Sequence, residues 1–190
     1  MGRFVQALIV VTVAAMLAGC SSLGGIAPSS GSGAPRDLDL VADDLSALIF
    51  ALDLPESVEA AEQGPLFAYA INDKAAPPYL ETTLVLADAD LVMGALPPPA
   101  AGHSYRVYAL GDAARQKLRA LQAFARAQAK RPSVTVNIVP RLCLPAPVSK
   151  SATTYSIRVV LPGRGALRPL IADERLDALE ARSAVIPPCA

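Results

Sequence analysis

The sequence predicts a mainly β fold: an antiparallel β-sandwich, immunoglobulin-like or similar, with one inserted amphipathic α-helix and a short C-terminal helix. Three observations predict it. Six runs of six to ten residues alternate in side-chain character, are rich in Val, Ile, Thr and Tyr, and are bounded by Pro, Gly or Asn. The joins between them are mostly polar or Pro-rich. One longer segment, 112–130, keeps a helical period and holds no Gly or Pro.

In chain order, Leu48, Phe50, Leu52 and Leu54 share one face of the first run, which ends at Pro55. Phe67, Tyr69 and Ile71 share a face before the turn residues Asn72-Asp73. Thr82, Leu84 and Leu86 alternate with Thr83, Val85 and Ala87. Leu96-Pro97-Pro98-Pro99 reads as a stiff surface loop, since Pro cannot donate to a sheet. Tyr105, Val107 and Ala109 form the fourth run. The helix follows from Asp112, expected as its N-cap, to Lys130, with Ala114, Leu118, Leu121 and Ala125 on one face and Phe124 beside them. Val134, Val136 and Ile138 make the fifth run, and Tyr155, Ile157, Val159 and Leu161 the sixth, before Pro162-Gly163. A short helix is expected over 173–182, with Leu176 and Leu179 inward.

The first twenty residues read as an address. Arg3 is followed by Phe4 to Leu17, apolar except for Gln6 and Thr12. This is the pattern of a secretory signal, and the stretch is short for a bilayer span. Leu17-Ala18-Gly19-Cys20 resembles the lipobox of bacterial lipoproteins. The resemblance covers residues 1–20. It implies cleavage before Cys20, a diacylglycerol thioether and a fatty acid such as palmitate on that residue, and attachment to the membrane through the lipid. Ser21 after Cys20, rather than Asp, implies the outer membrane, with the domain facing the periplasm.

Three parts result: a signal peptide at 1–19, a lipidated N-terminus with a flexible tether at 20–36, and one globular envelope domain at 37–190. The tether is dominated by Gly, Ser, Ala and Pro and cannot form a core. Its root-mean-square span is roughly 20–25 Å. Without residues 1–19 the chain has 16 Lys+Arg against 17 Asp+Glu, so net charge gives no attraction to nucleic acid, and none is expected as a partner.

With Cys20 assigned to lipid, Cys143 and Cys189 remain, an even pair expected to form a disulfide in an oxidising compartment. The alternative is free or metal-holding thiols. A single histidine in the chain makes a poor zinc site, and no metal or cofactor is expected. Closing such a loop stabilises a fold by about 4 kcal/mol on a chain-entropy account.

Other chemistry is thinly supplied. His103 is the only histidine and reads as a surface or strand-edge residue, with a general base as the sharper alternative. No G-x-S-x-G elbow accompanies it in the folded region. Asp88 and Asp90 point to one side of an extended chain, but Val92 stands where a further oxygen ligand for calcium would be needed. Gly163-Arg164-Gly165 fits a tight turn better than a phosphate cradle. Arg115, Arg119 and Arg126 lie along one stripe of the helix, either a solvated face or a docking surface for anionic lipid headgroups or an acidic envelope protein. The expectation is a non-catalytic, lipid-anchored binding or structural domain of the bacterial envelope. The alternative is an envelope hydrolase.

Overall fold

The computed structural model describes residues 38–72, 78–183 and 185–189. The expected signal peptide, Cys20 and the tether lie outside the described residues, as does Asp73 of the expected turn. Among the described residues the fold is mainly β, with eleven strands in three sheets and two α-helices. Among them, too, no helix is long and apolar enough to cross a membrane.

The strands are β1 (Ile49–Pro55), β2 (Glu59–Ala60), β3 (Leu66–Ile71), β4 (Tyr79–Thr83), β5 (Val85–Leu86), β6 (His103–Ala109), β7 (Val134–Val139), β8 (Leu142–Cys143), β9 (Thr154–Leu161), β10 (Gly165–Ala166) and β11 (Ile171–Arg175). The helices are α1 (Asp112–Arg126) and α2 (Leu176–Arg182). The largest sheet runs β10-β9-β1-β6-β5, and β11 shares with β10 the outer edge of β9. A second sheet runs β4-β3-β7, and β2 with β8 forms a ribbon. All these pairings are antiparallel.

One core joins the two larger sheets. Phe50, Leu52 and Leu54 of β1, and Ile157 and Val159 of β9, meet Phe67, Tyr69 and Ile71 of β3. The Phe50 and Phe67 rings lie 5.9 Å apart and tilted. Leu118 and Ala125 of α1 and Leu176 and Leu179 of α2 close the same core. On the far face of the large sheet, Ile49, Ala51, Val107 and Val160 form a smaller cluster under Val92 and Leu96.

Five expectations are corrected. The run 82–87 is two strands: β4 pairs with β3, β5 pairs with β6, and the chain changes sheets at Leu84. The crossing is tight at Gly64 (φ 64°), where a Cβ would lie 2.5 Å from the Leu84 carbonyl oxygen, so only glycine fits. Helix α1 stops at Arg126 rather than Lys130, and its N-cap is Gly111 with no side-chain cap bond, not Asp112. Phe124 faces outward, 36% exposed, while Gln122 is buried at 1%. The C-terminal helix begins at Leu176, because residues 171–175 take up the free edge of β9 as β11.

Candidate functional site

The far face of the large sheet carries a cluster of ionisable side chains. The register sets Asp53 of β1 between Tyr105 of β6 and Ser156 of β9. One row away, His103 stands opposite Pro55 and Arg158 opposite Ala51. The alternation that sends Leu52 and Leu54 into the core therefore sends Asp53 to this face, where it is only 6% exposed.

A buried carboxylate needs partners. His103 Nδ1 lies 2.9 Å from Asp53 Oδ1, and Arg158 Nε donates to Asp53 Oδ2 at 3.4 Å. A carboxylate oxygen accepts, so Nδ1 is the donor and Nε2 is left outside the pair. Tyr105 borders the pair and donates its hydroxyl to the Pro97 carbonyl at 3.0 Å, holding the Pro-rich loop on the sheet. Burial raises the Tyr105 pKa, Arg158 opposes that shift and Asp53 adds to it.

Ser156, 5% exposed, is engaged elsewhere. Its Oγ accepts from the Asp173 backbone N–H at 2.9 Å and donates to Asp173 Oδ1 at 3.3 Å. Asp173 has φ 49° at the bulge between Ile171 and Glu174, a backbone region in which Asp is among the better-tolerated residues. The Asp53–His103 pair has the parts of an oriented general base, but the buried hydroxyl on its face is committed to Asp173.

A second knot lies under α2. Tyr155 donates to Glu174 Oε2 at 2.5 Å, and Arg182 reaches the same oxygen. Burial, then the Glu174 carboxylate, push the Tyr155 hydroxyl far above its ordinary pKa. This knot fastens α2 to β9 and β11.

The residues singled out in the sequence are distributed as follows. Cys143 and Cys189 are bonded, with Cα atoms 4.9 Å apart and S–S 2.12 Å. Backbone bonds between Leu144 and Pro187, and between Cys189 and Leu144, hold the C-terminal segment alongside. The Glu59 carboxylate lies within 4.8 Å of both sulfurs, which as a disulfide offer no thiolate to a metal. Asp88 caps the short 3-10 turn 89–92 by accepting from the Asp90 N–H at 2.9 Å. Gly163 and Gly165, at φ 85° and 76°, form the turn into β10.

The helix arginines are partly used within the fold. Arg119 Nε donates to Ser46 Oγ at 2.8 Å, and Arg126 Nη1 to the Val41 carbonyl at 3.3 Å. Arg115 Nη1 lies 3.9 Å from Asp112 Oδ1. Buried Gln122 donates to the carbonyls of Leu40 and Asp43 at 3.2 and 2.7 Å. This face of α1 clasps residues 40–46.

No pairing of His103 with Asp53 was foreseen from the sequence, for they are 50 positions apart. A signal existed: Asp53 is the one charge in the otherwise apolar run 48–55. No known protein family, no curated protein and no solved structure matches the chain.

Proposed function

We propose that the protein is a lipid-anchored lipoprotein of the bacterial envelope whose folded domain binds or supports another envelope component without catalysis. The motif Leu17-Ala18-Gly19-Cys20 behind its apolar run carries this reading. The bonded Cys143–Cys189 pair supports it, because disulfides persist in exported compartments. Outer-membrane attachment with the domain in the periplasm follows from Ser21 by the same resemblance. We read the two larger sheets as the layers of an antiparallel sandwich, a reading supported by the core they share. Cys20→Ala should abolish metabolic labelling by a radioactive fatty acid; labelling that survives the change rejects the reading.

One observation favours a second reading. The Asp53–His103 pair resembles the base and orienting acid of a hydrolase. His103→Ala with undiminished cellular function removes that alternative.

A further inference from the structure

We infer that the end of the domain around the C-terminus of α1 docks on the anionic lipid surface in which the chain is anchored. The inference rests on the lipoprotein reading and names the surface that the domain presents to the membrane.

The first argument is where the chain enters the domain. Residues 39–41 are fixed to the C-terminal half of α1 and the turn beyond it. Arg131 pairs with Asp39, Gln122 donates to the Leu40 carbonyl, and Arg126 donates to the Val41 carbonyl. The chain arriving from Cys20 therefore joins the domain at this end. Anchoring at Cys20 therefore raises the effective concentration of this end near the lipid.

The second argument is the chemistry found there. A groove of about 670 Å³ opens beside the entry point, lined by Ile71, Phe124, Lys130, Arg131 and Pro132 among others. Its apolar wall includes the exposed edge of Phe124, and its cationic rim is Lys130 and Arg131. Among the described residues Lys130 makes no ion pair, Arg131 is paired with Asp39, and the sequence places no Asp or Glu from 113 to 172. The helix carbonyls that end near the groove disfavour a small lone anion. A plane of headgroups meets several cations together, and an aromatic ring beside cations suits the interface between water and acyl chain. A second copy of the chain would bring the same cations against themselves.

The test uses the full lipidated chain, reconstituted into vesicles. An environment-sensitive fluorophore is placed on Ala129→Cys in the groove, and separately on Met93→Cys, which lies in the segment covering the opposite face of the large sheet. In phosphatidylethanolamine containing a quarter phosphatidylglycerol, the label at 129 should shift to the blue and be quenched by a lipid-borne quencher. The label at 93 should do neither. Pure phosphatidylcholine should remove the effect. One cation near such a surface changes the docked-to-undocked ratio about five-fold, so Lys130→Glu should lower it roughly 30-fold. A label at 129 that stays in water on anionic vesicles overturns the inference. Equal protection on neutral vesicles and in detergent also overturns it, because the groove is then filled by the chain's own tether or a second copy. Flotation of the protein with the vesicles is scored separately. Flotation without docking rejects only this inference, whereas failure to float rejects the lipid anchor.

Discussion

On one face of the six-stranded sheet, Phe50, Leu52 and Leu54 meet apolar partners from the three-stranded sheet and both helices. On the opposite face of the same strand, Ile49 and Ala51 meet Val107, Val160 and Val92, and then the apolar cover ends. Asp53, His103, Arg158 and Ser156 take over. The first face gains stability from area removed from water, at about 25 cal/mol per Å². At the polar end of the second face, the gain from pairing is largely offset by the cost of drying the charges. Two faces of one strand thus do different work: one is apolar packing, the other ends in a buried carboxylate held by two partly exposed partners.

The largest expected effect lies on the first face. Leu52 is fully buried, and Leu52→Ala should cost about 3–5 kcal/mol in urea unfolding. Val107→Ala on the second face should cost about 1–2 kcal/mol, since less material is removed and the cover is a single loop. Equal costs would break the contrast and make the second face a full core.

The next effect separates structure from use at the polar end. Asp53→Ala leaves Arg158 and His103 without their shared partner and should cost about 2–4 kcal/mol. Replacing Asp53, His103 and Arg158 together by Val should restore most of that loss. A triple variant that stays as unstable as Asp53→Ala would show that the cluster is a net stabiliser. A stable triple variant that fails in the cell would show that the cluster is kept for its function.

The smallest effect is the exposed counterpart of the buried cluster. Asp39 has its pKa lowered from 3.8 to about 2, chiefly by the Arg131 hydrogen bond and then by the backbone N–H groups of Ala42 and Val41. A carboxyl depressed by folding contributes stability above its unfolded pKa and loses it as pH falls. The loss should run from about pH 4 down to 2. The Asp39 side chain is 34% exposed and Arg131 65%, so solvent screens the pair and the contribution should stay under about 1 kcal/mol. Comparing Arg131→Ala with the parent across that acid range measures it; a difference that persists unchanged at pH 2 contradicts the assignment.

The period-2 pattern of β3, in which Phe67, Tyr69 and Ile71 are buried, was readable because one face meets a core and the other is less covered. The pattern in β1 was half readable. It is a central strand buried on both sides, so Ile49 and Ala51 are inside as well, and alternation alone underreports it. Residues 173–175 read as helix because Asp, Glu and Arg precede two inward leucines. They became strand because β9 had an open edge to pair, a demand that arises only once the sheet exists. The three arginines of α1 read as one stripe, and geometry kept them so. Arg119 and Arg126 nevertheless spend hydrogen bonds on residues 46 and 41, which lie 73 and 85 positions away.

The sequence by itself determined the local terms. Side-chain period chose strand or helix at most sites, Gly and Pro marked the turns, and an even pair of cysteines made the bond between Cys143 and Cys189 the simplest expectation. Tertiary structure decided everything that depends on what stands opposite. It set the sheet change at Leu84, the strand β11, and the meeting of Asp53 with His103 and Arg158 from three different strands. The physical reason is range. Backbone propensity acts over a few residues and is present in every copy of a short segment. Desolvation and ion pairing exist only after burial has removed water and brought distant residues to one row of a sheet.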